Sequence, residues 1–228
     1  MNKHIVFCLT LAAVLLAGTQ AFVSETGSNI TAEEALKRLL DGNRNFVANR
    51  LTIKDSSLTA ARQALAGGQK PYAIILACSD SRVPPEIIFD KGLGEIFVVR
   101  VAGNIADPIV LGSIEYAAEH FGSPLIVVLG HKRCGAVSAA VDAEGRPHGN
   151  IGAIIKTIAP AVKQAKKDAG SANKSDLVES AIDNNIKLVV KSLVKQSPVI
   201  RSLVDGGKIR IAGAKYDLDD GTVKLLEQ

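Results

Sequence analysis

The chain has 228 residues, 47% of them hydrophobic, 22% charged and 4% aromatic, with a formal net charge of +4. Those proportions belong to a globular protein able to bury one substantial core, and no repeat or low-complexity segment interrupts it. The positive excess is too small and too dispersed for a nucleic-acid surface, and a chain without Trp lacks base-stacking platforms, so a small partner is expected.

The first 21 residues differ in character. Lys3 and His4 precede an apolar run from Ile5 to Ala17, and small residues lead to Thr19-Gln20-Ala21. That is the layout of a secretory signal peptide cleaved after Ala21, which predicts an exported protein, periplasmic or otherwise extracytoplasmic, with no stable membrane association after cleavage. The alternative, a retained anchor, asks a short apolar run to span about 30 Å of hydrocarbon. Residues 22–30 then read as a linker and 31–228 as a single domain. Cleavage removes Cys8 and leaves Cys78 and Cys134.

Thr31-Ala-Glu-Glu34 reads as a capping box, and Leu36, Leu39, Leu40, Asn43 and Val47 follow at helical spacing, predicting a helix over 32–49. A shorter helical pattern, Leu58 to Ala66, stops at Gly67-Gly68. Three continuous apolar runs, Tyr72–Ala77, Glu95–Val101 and Leu125–Leu129, have the form of strands buried on both faces of a parallel sheet. Asp107-Pro108 supplies an N-cap and a first-turn proline for a helix to about Phe121. Further helices are predicted from Cys134 to Val141, from Ile151 to Lys167 and from Ser175 to Lys195, with a break at Gly145–Gly149. Lys208–Tyr216 and Thr222–Leu226, turned at Asp219-Asp-Gly221, close the chain as a strand pair. The fold class is therefore α/β: an open, mainly parallel sheet flanked by helices, with a C-terminal strand pair.

Two segments carry the chemistry. Cys78-Ser-Asp80-Ser-Arg82 follows the first strand, and His131-Lys-Arg-Cys134 lies just past the third. In open α/β sheets ligands gather beyond the carboxyl ends of strands where strand order reverses. If the second strand pairs on the far side of the first, that point falls between strands one and three and makes the two segments neighbours. Two thiolates and one imidazole form a three-ligand set, which leaves a metal position for water, whereas four-ligand Cys/His sites are structural. A Cys78–Cys134 disulfide is the plainer alternative in an oxidising compartment. It leaves the polar cluster around each cysteine unexplained. Cys134 opens a predicted helix, where free N–H groups and the dipole favour a thiolate. An ionised Asp80 has two options, to ligate the metal or to accept a hydrogen bond from the nucleophile, and a bidentate pair with Arg82 would hold it off the metal.

With these residues in view, the chain resembles the β-class carbonic anhydrases, in their plant-type, open-zinc-site form. The resemblance runs from Thr31 to Asp217-Leu218. It rests on Ala77-Cys-Ser-Asp-Ser-Arg-Val83, Phe97-Val-Val-Arg-Val-Ala-Gly-Asn104, Ser113-Ile-Glu-Tyr116 and Gly130-His-Lys-Arg-Cys-Gly135. It implies one Zn²⁺ per subunit on Cys78, His131 and Cys134, a catalytic Asp80–Arg82 dyad, and reversible hydration of carbon dioxide to bicarbonate and a proton by zinc-bound hydroxide. It also implies a homodimer or homotetramer with active sites at subunit interfaces. Gln69, Phe97, Tyr116 and Gly135 match substrate-binding positions: Gln69 a hydrogen-bonding Gln, Phe97 and Tyr116 apolar pocket walls. Members with a noncatalytic bicarbonate site carry Trp where this chain has Ile75, which implies that the chain lacks that inhibition. Val101 departs from the Asn of many members. Two rival functions remain: hydrolysis of carbonyl sulfide or carbon disulfide on the same scaffold, and a noncatalytic exported binding domain with a Cys78–Cys134 disulfide.

Overall fold

A computed structural model describes residues 30–52, 59–143, 149–168 and 173–226. Residues 1–29, on which the signal-peptide and linker expectations fall, and residues 144–148, on which most of the expected helix break falls, lie outside the described residues. Helix α1 (Ala32–Val47) begins where the capping signal places it, with the Thr31 hydroxyl accepting from the Glu34 N–H at 3.2 Å. Only half of the box forms, because the Glu34 carboxylate accepts from Arg38 Nε instead. Asn43, on the face read as apolar, is buried: its amide donates to the Ile88 and Gly221 carbonyls and accepts from the Val223 N–H, tying α1 to the end of the chain. After α2 (Thr59–Leu65) the chain enters β1 (Ala73–Ala77), then α3 (Pro85–Ile88), β2 (Ile96–Arg100), a single 3₁₀ turn at Ala102–Asn104, and α4 (Pro108–Phe121). Asp107 caps α4 by accepting from the Val110 N–H at 2.8 Å. Next come β3 (Leu125–His131), α5 (Gly135–Val141), α6 (Ile151–Asp168), α7 (Lys174–Gln196), α8 (Pro198–Asp205), β4 (Arg210–Tyr216) and β5 (Val223–Leu225).

The five strands pair in the order β2-β1-β3-β4-β5, parallel except for β4 with β5. The expected reversal therefore falls between β1 and β3. Alternation along the strands sends Ile74, Leu76, Ile126, Val128 and Ile211 into one core beneath α4 to α8. Ala73, Ile75, Ala77, Leu125, Val127 and Leu129 enter a second core beneath α1 and α3. Both faces of β1 and β3 are thus covered, which is why those segments read as unbroken apolar runs. Ile75 is fully buried in the second core.

Two short helices carried no expectation. In α8, Ser197-Pro198 repeats the cap-and-proline signal of Asp107-Pro108, with the Ser197 hydroxyl accepting from the Ile200 N–H at 3.0 Å. In α3, Pro85 opens a single turn too short to show a period. A further correction concerns His131: it is the last residue of β3, paired with Tyr216 of β4, and not part of the following turn. The strand runs on because β4 offers it a partner to its end.

Candidate metal centre

The site lies at the carboxyl ends of β1 and β3. Cys78 leaves β1, His131 ends β3, and Cys134 is the N-cap of α5. All three are buried, and their donor atoms lie within 4.8 Å of one another. The sulfurs of Cys78 and Cys134 stand 4.0 Å apart as free thiols, about twice the S–S bond length. Two thiolates on a tetrahedral zinc with bonds of about 2.3 Å would sit about 3.8 Å apart, so the spacing suits that ion. The imidazole is oriented for the same task. Its Nδ1 lies 2.8 Å from the Lys132 carbonyl, which can only accept, so Nδ1 carries the hydrogen and Nε2 keeps its lone pair. That Nε2 is buried without a hydrogen-bond partner. A buried orphan acceptor beside two buried thiols is costly unless a cation completes the set, and the donors fit zinc.

Without a cation the two thiols oppose each other. The Cys78 thiol falls far below its ordinary range, first because Cys134 donates to its thiolate, and further because of the Gly103 N–H, which lies 3.3 Å from Sγ. Cys134 is pushed up by its bond to Cys78, by burial and by the neighbouring negative charge. The helix N–H groups of Ala136 and Val137 pull the other way and lose. The pair therefore shares one proton, and the α5 N–H groups add to what stabilises its single thiolate charge.

Asp80 and Arg82 form a two-pronged pair, with Arg82 Nε donating to Oδ1 at 2.9 Å and Nη2 to Oδ2 at 2.7 Å. The Arg82 N–H adds a third bond to Oδ1 at 3.0 Å. These bonds, led by the guanidinium, hold the carboxyl far below the usual carboxylate range. Asp80 Oδ2 stands 3.8 Å from His131 Nε2, close enough to compete for the same ion if released. Arg100 pairs with Ala77 in register and donates to the carbonyls of Cys78 at 3.0 Å and Asp80 at 2.6 Å. It fixes the turn that carries both functional side chains.

The remaining candidates lie apart. Phe97 on β2 packs with Tyr116 and Phe121, ring centroids 6.5 and 5.9 Å away, and Tyr116 is 49% exposed. Gln69 lies exposed between α2 and β1. Among the described residues, none of these three bonds to the Cys–His–Cys group. Gly135 follows Cys134, and a Cβ there would meet nothing within 4 Å, so the approach beside α5 is open. Sequence reasoning missed Gly103, Asn185 and Glu179. Asn185 donates to the Gly103 carbonyl at 2.9 Å, and Glu179 accepts from the Arg133 N–H at 2.9 Å. Both lie on α7, of which the sequence shows only the helical extent.

Comparison with known proteins agrees with this arrangement. The model of the carbonic anhydrase family matches residues 73–223. Carbonic anhydrase 2 of Mycobacterium tuberculosis is 43% identical over 200 residues, covering 86% of this chain and 94% of that protein. The carbonic anhydrase of Mycolicibacterium smegmatis is 41% identical over 194 residues, covering 84% and 91%. Among solved structures, Coccomyxa β-carbonic anhydrase in complex with acetazolamide superposes with a TM-score of 0.70 at 27% identity, covering 85% of this chain and 86% of that one.

Proposed function

The chain belongs to the β-class carbonic anhydrase family, and on that premise we propose that it catalyses the zinc-dependent, reversible hydration of carbon dioxide to bicarbonate and a proton. The observation that carries this reading is the buried Cys78–His131–Cys134 group with an ionised Asp80 pinned beside it. Cys78, His131 and Cys134 would hold the ion, which supplies the Lewis acidity that makes water a nucleophile near neutral pH.

The chain's own groups do the rest. Asp80 stays a carboxylate under its bonds from Arg82, and its free lone pairs accept the hydrogen of the attacking water, turning the oxygen lone pair toward the carbon of CO2. Arg82 keeps Asp80 from ligating the metal. The Gly103 N–H on the Cys78 sulfur draws off part of the thiolate charge. Bicarbonate leaves to solvent, and the proton passes to buffer. In this reading Gln69, Phe97 and Tyr116 bind substrate across a subunit boundary of a homodimer or homotetramer, which accounts for the exposure of Gln69 and Tyr116 within one chain. Export is part of this reading, supported by the signal-peptide layout of residues 1–21.

Stopped-flow hydration of CO2 by the purified, zinc-replete protein tests the proposal, with carbonyl sulfide and carbon disulfide run in parallel. The expected result is rapid hydration and little turnover of either sulfur compound. Hydrolysis of a sulfur compound at a higher kcat/KM than CO2 hydration would overturn it.

A further inference from the structure

The site described so far is built from β1, β3 and the start of α5, yet α7 reaches both of its halves. Glu179 Oε1 accepts from the Arg133 N–H at 2.9 Å, and Asn185 donates to the carbonyl of Gly103, whose own N–H meets Cys78. Arg133 lies between the two ligands of the second turn and has φ +52°, a left-handed conformation that a residue with a Cβ adopts only when its surroundings hold it. Glu179 is itself fixed. Lys215 of β4, only 16% exposed, places Nζ 2.7 Å from Glu179 Oε2 and 2.9 Å from Asp183 Oδ1. Burial works against that ammonium, but its bonds to Glu179 and Asp183 prevail and raise its pKa. The reach of α7 depends on its close seat on the sheet: a Cβ on Gly130 would lie 2.5 Å from Ile186 Cδ1, and one on Gly213 2.9 Å from Ile186 Cγ2. A side chain at either glycine would force Ile186 out of its present seat on the sheet.

We propose that Glu179, locked by Lys215, is a positioning residue for the metal centre: it holds the backbone of Arg133 in the conformation that aims His131 and Cys134 at one ion. This rests on the reading of Cys78, His131 and Cys134 as metal ligands. A simpler role, in which Glu179 and Asp183 only neutralise a half-buried lysine, predicts lower stability on mutation but unchanged metal binding. Groups that orient metal ligands cost about 10- to 100-fold in affinity when removed, so the two roles separate on metal readouts.

The test follows zinc release from the full-length holoenzyme to a chromogenic chelator, together with the ligand-field and thiolate charge-transfer bands of the cobalt-substituted protein. Glu179→Ala should release zinc about tenfold faster and shift the cobalt bands. Glu179→Gln, which keeps an oxygen for the Arg133 N–H but gives up the ion pair with Lys215, should fall between wild type and Glu179→Ala on both readouts. Wild-type release and bands in Glu179→Ala would overturn the proposal whatever happens to its Tm. Should Glu179→Ala fail to fold, Glu179→Asp decides, since it keeps a charge facing Lys215 but is one methylene too short to hold the Arg133 N–H as well: about tenfold faster release with shifted bands would support the proposal, and wild-type release with unmoved bands would overturn it. A wild-type chain that takes up neither zinc nor cobalt would instead overturn the metal reading on which the brace depends.

Discussion

The turn from Cys78 to Arg82 and the turn from His131 to Cys134 each deliver metal-binding side chains, but partners at different distances along the chain hold them. Asp80 is gripped by Arg82 two residues on, and the turn's carbonyls by Arg100, placed there by the β1–β2 register. The second turn depends on Glu179, 46 positions away, and on Asp219, 86 positions away, which takes both arms of the Arg133 guanidinium at 3.0 and 2.8 Å. Lys132 adds a contact to Asp217 at 2.7 Å. The first turn therefore carries its own support as a short motif, whereas the second borrows support from α7 and the β4–β5 connection. Mutations within the first turn should act on chemistry directly, and those around the second through metal geometry.

The largest break in that comparison is at the ligands, where the two turns become equal. Cys78→Ser and Cys134→Ser should each lose zinc and all hydration above background, read by metal analysis beside stopped-flow assay. A variant that kept both would remove that cysteine from the ligand set. Next in size is Arg82→Ala, which frees Asp80 to approach the metal. Zinc should remain while kcat falls by at least about 100-fold, in the range for loss of a proton-handling group. Zinc loss with residual activity would instead make Arg82 a metal-retention residue.

A third effect concerns the metal-free protein. The Cys78 thiol is pulled well below the ordinary thiol range by its bond from Cys134, and Cys134 is pushed above that range, so the metal-free pair shares one proton at neutral pH. Between the folded and unfolded values of Cys78 the unfolded chain binds the extra proton. The stability Cys78 confers is therefore present in full above its unfolded pKa and is lost as pH falls through its folded one. Ultraviolet thiolate absorbance of the reduced apoprotein should show one thiolate titrating in acid, and two thiolates titrating together near their ordinary value would contradict this. The smallest effect is expected at Asp219→Ala. Its pair with Arg133 is more than half exposed on both sides and so screened by solvent and salt. Activity should stay within about twofold of wild type, and a tenfold loss would move the main support of the second turn from Glu179 to the surface.

The same contrast explains what the sequence made legible. Strand positions, the place of reversal and the Cys78–Arg82 turn follow from contiguous apolar runs, caps and a motif whose partners lie inside it. Glu179, Asn185 and Lys215 carry no local signal: on α7 and β4 they read as polar residues of an amphipathic helix and an edgeward strand, and only tertiary packing gives them a destination. The extension of β3 to His131 was hidden for a related reason, since strand length depends on the partner strand. The mutual shift of the two thiols was hidden because α5's dipole is visible in sequence and a sulfur 4.0 Å away is not.

The most direct test of the central claim is to strip metal from the purified protein with a graded chelator while measuring zinc, free thiols and CO2 hydration at each point. The account predicts a single zinc ion per chain, activity that falls in proportion to zinc removed, and the thiols of Cys78 and Cys134 appearing together as the metal leaves. Protein isolated without metal and with Cys78 joined to Cys134, or hydration that survives complete removal of zinc, would contradict it.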